Sequence, residues 1–155
     1  ILEKLQSTAM SGNDDMYASL LYDDGMAHLN ATGNLDAALQ RFQAAASYNP
    51  TEQEILDKLK FTTIKVMEMY FKRGNYAAAY EHARALIQLQ HPNREQAERI
   101  AIHCALEAKM YAQALEHTKS YLVVNSRDEM FQEIARRLEA NDRVEELKLL
   151  FASGN

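Results

Sequence analysis

The sequence predicts an all-α chain of repeated helix pairs, and three observations carry that expectation. Only 5 Gly and 2 Pro occur among 155 residues, too few turn-formers for a sandwich or barrel, which needs a turn roughly every ten residues. Apolar residues recur at helical rather than alternating spacing along most of the chain. Four turn signals, Gly33-Asn34, Gly74-Asn75, Lys109-Met110 and Asn141-Asp142, follow one another at intervals of 32 to 41 residues, a period that belongs to helical repeats. With 47% hydrophobic and 25% charged residues the chain has the balance of one soluble, folded domain.

Each helix is bounded by local chemistry. Helices are expected over 1–10, 14–32, 35–48, 52–73, 76–90, 94–109, 111–124, 127–140 and 142–152, with no strands. Leu2 and Leu5 give the first an apolar side, and Gly33 ends the second in a left-handed cap while Asn34 caps the next. Asn49-Pro50-Thr51 stops a helix, because Pro cannot continue one, and Thr51 with Glu54 has capping-box spacing. Gly74-Asn75 repeats the first device, and His91-Pro92-Asn93 with Gln96 the second. Asn125-Ser126 with Glu129, then Asp142 with Glu145, open the last two helices. Val144, Leu147, Leu150 and Phe151 form one apolar face backed by Arg143, Glu145, Glu146 and Lys148, as suits a capping helix.

Three of these helices superimpose without gaps: Leu35, Ala38, Leu39, Phe42, Ala45 and Ala46; Tyr76, Ala79, Tyr80, Ala83, Leu86 and Ile87; Tyr111, Ala114, Leu115, Thr118, Tyr121 and Leu122. Their shared fourth position is Ala38, Ala79 and Ala114, small enough for two helix backbones to approach closely. The chain here resembles the tetratricopeptide repeat (TPR) family, whose unit of about 34 residues forms two helices. Tyr22, Gly25, Leu29, Gly33, Leu35, Ala38, Phe42, Ala45 and Pro50 stand at its signature positions, with Gly25-Met26 in place of the usual Leu-Gly order. Val66, Tyr70, Gly74, Tyr76, Ala79, Leu86 and Pro92 repeat them, with Ala83 where an aromatic is usual. Ala101, Ala105, Tyr111, Ala114 and Tyr121 do so again, with Lys109 in place of Gly.

The resemblance implies a right-handed superhelical array of antiparallel helix pairs, an α-solenoid, filling 1–155 as a single domain. Its parts are a remnant of a preceding repeat (1–13), three repeats (14–50, 51–92 and 93–126) and a degenerate pair with cap (127–155). The 41-residue first interval implies about two extra turns on the first helix of the second repeat.

Charge and motif content narrow the function. A net charge of −5 opposes a phosphate backbone, and no run of about 18 apolar residues offers a membrane span. A lone Cys forms no internal disulfide and leaves the compartment open, with the cytoplasm favoured. The opening at Ile1 reads as a piece excised from a longer chain. No phosphate-binding loop, His-Glu-x-x-His or Gly-x-Ser-x-Gly motif is present, and none of the five His follows a Glu by three. No catalytic residue, metal site or cofactor is therefore expected. His103 and Cys104 diverge by about 100° on a helix and read as a groove His beside a packed Cys. His82 and His117 hold equivalent places in two second helices and read as a solvated outer face. Tyr22, Tyr70, Tyr76, Tyr111 and Tyr121 read as packing residues, and Met16, Met26, Met67, Met69, Met110 and Met130 as core filler.

What the resemblance implies for binding is a concave groove lined by the first helix of each repeat. Carried over by position, the lining is Leu20, Asp23, Ala27 and Asn30; Phe61, Ile64, Glu68 and Phe71; Gln96, Arg99, His103 and Leu106. Phe61, Ile64 and Phe71 are apolar where the repeat core needs no apolar residue, which suits a binding surface. The family's carboxylate clamp needs Lys and Asn where this chain has Asp23 and Ala27, so a free C-terminal carboxylate is a poor ligand. The related RNA-binding pentatricopeptide repeats need a basic groove, against the net charge. The expected function is thus an adaptor or scaffold that holds another protein's peptide or helix by apolar anchors. The alternative is a structural or self-associating domain of a larger signalling or secretion protein, and so a homodimer.

Overall fold

A computed structural model describes residues 2–89 and 94–153, and among these there are helices and no strand. They are α1 (Leu2–Ala27) continued by a π-helical segment (His28–Thr32), α2 (Leu35–Tyr48), α3 (Gln53–Lys72), α4 (Tyr76–Leu89), α5 (Glu95–Glu107), α6 (Tyr111–Val124) and α7 (Glu129–Ala140); a 3₁₀ turn (Val144–Glu146) and α8 (Leu149–Ser153) close the order. The expected stop at His91-Pro92-Asn93 lies outside the described residues.

Two expected helices differ. The break after residue 10 is absent, and α1 runs through Ser11-Gly12-Asn13 as one 26-residue helix; without a proline, a single interior glycine costs only about 1 kcal/mol. The last helix is divided at Leu147-Lys148, and it starts late because Arg143 takes a left-handed backbone at φ 48° and Arg137 pins the chain there. The Arg137 side chain, 8% exposed, donates to the carbonyls of Asp142 (3.0 Å) and Arg143 and faces Glu146 at 3.4 Å.

The chain forms two compact units that divide after Val66, so α3 contributes to both. In the first, α1 packs on α2, with Ala38, Phe42 and Ala45 fully buried. Gly25 makes this approach possible, since a Cβ there would lie 2.7 Å from Cε1 of Phe42. The Tyr22 ring tilts against the same Phe42 at 5.6 Å, and Ile55 of α3 joins Ala18 and Ala45 beneath it.

In the second unit α4 packs on α5, α5 on α6 and α6 on α7. Ala79, Ala101, Ala105 and Ala114 are fully buried, and their small side chains let the larger Leu86, Ile102, Phe131, Ile134 and Leu147 interdigitate. Each such large apolar side chain contributes about 1.5–3 kcal/mol when removed from water.

Three turns of this unit share one geometry. After α3, the N–H of Asn75 donates to Tyr70 and that of Gly74 to Phe71. After α5 the same bonds run from Met110 to Ala105 and Lys109 to Leu106, and after α7 from Asp142 to Arg137 and Asn141 to Leu138. Gly74, Lys109 and Asn141 are left-handed, at φ 77°, 61° and 51°, as a helix C-terminus closed in this way requires. Asn34 and Asn75 cap as expected, accepting from Ala37 (3.1 Å) and Ala78 (3.3 Å). Thr51 does not: α3 begins at Gln53, its first bond running from Leu56 to the carbonyl of Glu52, while the Thr51 hydroxyl faces Asn49 at 3.5 Å and the Glu54 carboxylate accepts from the Tyr22 hydroxyl at 3.0 Å. Asp128, rather than Asn125 or Ser126, caps α7 by accepting from Phe131 at 3.3 Å.

Candidate functional site

In the first unit the outer side of α1 presents Leu20, 59% exposed, with exposed Asp23 and Ala27. Asn30 is exposed but falls in the π segment, whose wider turn departs from the 3.6-residue register of that stripe. On α3, Phe61 is 46% exposed while its neighbours Thr62 and Thr63 are buried, so the helix turns its apolar ring outward and its hydroxyls inward. Thr63 resolves this by donating to the carbonyl of Leu59 at 2.7 Å. The ammonium groups of Lys58 and Lys65 each lie 5.6 Å from the centre of the Phe61 ring, within cation–π range. Ile64 is half-buried beside it.

The same unit holds a cleft of about 280 Å³ between Tyr22 and Asp15 on α1 and Asn49, Glu52 and Glu54. Its walls are tied by Tyr22 to Glu54 and by Asn49 to Asp15 at 3.1 Å. Asn49, Glu52 and Glu54 escaped the groove stripe because they sit at the junction of α2 and α3, where sequence shows only the signals that stop one helix and start the next.

The second unit brings Phe71 and His103 together, edge to face at 5.1 Å. Between them opens an apolar cleft of about 270 Å³ lined by Met67, Phe71, Lys72, Ile100, His103 and Cys104, with Glu68 at its edge. Across Ile100 and His103 it meets a second cleft of about 450 Å³ bounded by Glu95, Gln96, Arg99 and Phe151. Phe151 of α8 stacks on His103 at 4.5 Å and 7°, a partner that sequence reading put in a cap rather than at the groove. Burial lowers the His103 pKa, and Glu107, 3.6 Å away, acts against that shift. The Arg99 guanidinium lies over the Phe131 ring at 5.7 Å.

Several expectations are corrected here. Leu106 is 2% exposed: it lies in the core and not on a lining, because α5 is packed between α4 and α6. His82 and His117 do not form a solvated face. His82 stacks on Tyr70 at 5.5 Å and 5°. His117 shares a 2.8 Å hydrogen bond with the Tyr80 hydroxyl, and burial holds its pKa down against Glu98 and Glu116, with Arg84 assisting. Both belong to helix–helix contacts. Of the tyrosines, Tyr121 is buried, and Tyr22, Tyr70, Tyr76 and Tyr111 are half-buried; Met67 is core, whereas Met16 is 51% exposed.

Cys104 is fully buried, and burial pushes its thiol pKa up to about 12. Among the described residues no group of three His, Cys, Asp or Glu is placed to hold a metal ion, and no helix is long and apolar enough to cross a membrane. Compared with known proteins, the chain matches no family model, no curated protein and no solved structure.

Proposed function

We propose that the chain is a helical-repeat interaction module resembling the TPR family, which holds a peptide or helix of another protein and catalyses no reaction. Contacts between alternate helices support the repeat reading: Tyr22 to Glu54 (α1 to α3), Phe71 to His103 (α3 to α5), Tyr80 to His117 (α4 to α6) and Arg99 to Phe131 (α5 to α7). Stacked helix pairs meet in this way, first helix on first and second on second. The recurring turn after α3, α5 and α7 supports it too.

The observation that carries the functional reading is apolar surface left open at the positions the family uses for ligands. Leu20 and Phe61 are 59% and 46% exposed, and Phe71 walls an apolar cleft. Such surface is costly in water unless a partner covers it. The acidic net charge of −5 favours a protein over a nucleic acid as that partner.

The test is selection of a displayed random-peptide library on the wild-type chain. Peptides recovered should bind the Leu20→Ser/Phe61→Ser variant at least about tenfold more weakly, with unchanged circular dichroism. Phe71 is less suitable, because it packs on Tyr76 and His103. A second reading, self-association, is favoured by Val123 and Val124, 82% and 65% exposed at the end of α6. Light scattering on dilution separates the two: a monomer at all concentrations supports the adaptor, and a dissociating dimer lost in Val123→Ser/Val124→Ser supports assembly.

A further inference from the structure

We infer that Phe151 is a built-in plug: α8 seats this ring on His103, where an aromatic side chain of a partner's helix docks, and the partner gains the seat by displacing α8. The inference rests on the interaction-module reading and adds the regulation of its groove in the second unit.

The seat is built of rings. Phe151 lies flat on His103 at 4.5 Å and 7°, and meets Phe131 edge to face at 5.9 Å and 75°. Phe71 approaches His103 edge to face from α3 at 5.1 Å. Stacked and edge-to-face pairs are the arrangements that aromatic side chains favour, so an aromatic ligand fits where Phe151 now sits. Gln96, Arg99 and His103, three of the positions expected to line a groove, border the same cleft of about 450 Å³ as Phe151. A ring that only closed the core would be covered as Phe131 and Leu147 are, at 1% and 0% exposed. Phe151 is half-buried and borders open space instead. Past Ile100 and His103 that space leads to the apolar cleft of about 270 Å³, surface along which a partner segment can continue once it has replaced Phe151.

The attachment of α8 suits a part that lifts. Leu147, fully buried, fixes the chain just ahead of it. The helix itself is five residues long, far short of the roughly 12–15 that an isolated helix needs. Its backbone bonds reach back three residues, from Leu150 to Leu147 at 3.1 Å and from Phe151 to Lys148 at 3.2 Å, the poorer 3₁₀ geometry. Order in α8 therefore leans on the seating of Phe151. A tether this short holds the ring at its seat with an effective concentration of order mM. A partner's apparent affinity is then reduced by the fraction of time for which the seat is filled.

The probe is a fluorescein-labelled synthetic peptide of this chain's own residues 144–153, added to the full chain and followed by anisotropy. Phe151→Ala in the chain empties the seat, and that variant should bind the peptide about tenfold or more tightly than wild type does. A peptide carrying the same Phe151→Ala change should bind neither. Hydrogen exchange of the wild type supplies a second readout: excess unlabelled peptide should speed exchange at the amides of Leu150 and Phe151, while Ile102 and Ala105 in α5 stay slow. Equal peptide affinity of wild type and Phe151→Ala, no binding to either, or unchanged exchange in α8 overturns the inference. Loss of cooperative unfolding in Phe151→Ala also overturns it, because the ring would then be part of the core. Library peptides that are lost in Leu20→Ser/Phe61→Ser yet bind wild type and Phe151→Ala alike sink this inference and leave the module reading standing. Absence of any library peptide sensitive to Leu20→Ser/Phe61→Ser sinks the module reading itself.

Discussion

The Cys104 thiol is the one nucleophile type that sequence alone leaves in doubt, and its surroundings make it inert. It is fully buried, with its pKa raised to about 12, so almost no thiolate exists at neutral pH. Labelling with a disulfide reagent should be slow in the native chain and immediate in denaturant; rapid native labelling would contradict this packing. Backbone strain is legible at the same scale. Gly74 has φ 77° and open space around a would-be Cβ, so Gly74→Ala adds strain without any clash and should cost about 1 kcal/mol. Lys109, in the equivalent turn at φ 61°, already bears that strain. Lys109→Gly should therefore be neutral or stabilising by up to about 1 kcal/mol, measured by urea denaturation. A loss of stability in that variant would mean the two turns are not alike.

Helix boundaries were legible in sequence wherever one residue must do a specific backbone task. Gly33, Gly74 and Asn141 mark their turns because left-handed backbone suits few residues, and Asn34 and Asn75 mark their caps. Boundaries set by tertiary contact were not legible. Thr51 and Glu54 have the spacing of a cap, but Tyr22, distant in sequence, claims Glu54. The last helix reads as opening at Asp142, but Arg137 reaches forward to the carbonyls of Asp142 and Arg143 and moves its start to Val144. Helix contact itself gives the prediction at this scale. Gly25→Ala places a methyl 2.7 Å from the buried Phe42 ring, with Tyr22 on that ring as well. It should separate α1 from α2 at a cost of about 1–3 kcal/mol, despite the higher helix propensity of Ala. A rise in melting temperature would show that this contact is looser than described.

The stability of the whole molecule should depend on pH through two imidazoles. His103 and His117 are both held below the ordinary imidazole pKa, chiefly by burial. In the unfolded chain they return to about 6.5, so just below that pH the unfolded state binds more protons. Stability is then full above about 6.5 and falls as the pH drops through that value toward the lower folded pKa values. The melting temperature should be higher at about pH 7.5 than at about 5.5, and His103→Gln/His117→Gln should flatten the difference. A steeper dependence in that variant would assign the titration elsewhere. The helical character of the chain was readable from period alone, and the proposed lining from the family resemblance. The roles of the histidines were not, because a helical period gives a face and not what packs on it. Leu106 failed for the same reason: its stripe position is regular, and its burial depends on neighbouring helices.

The stacking of Phe151 on His103 also offers an optical handle. The chain contains no tryptophan, so Phe151→Trp would install a single indole directly on an imidazole and beside the cleft of Arg99 and Gln96. Its emission would be quenched as His103 gains a proton and would shift as water leaves the cleft. One side chain would thus convert both the protonation and the occupancy of this surface into colour and intensity, without any label attached to a partner.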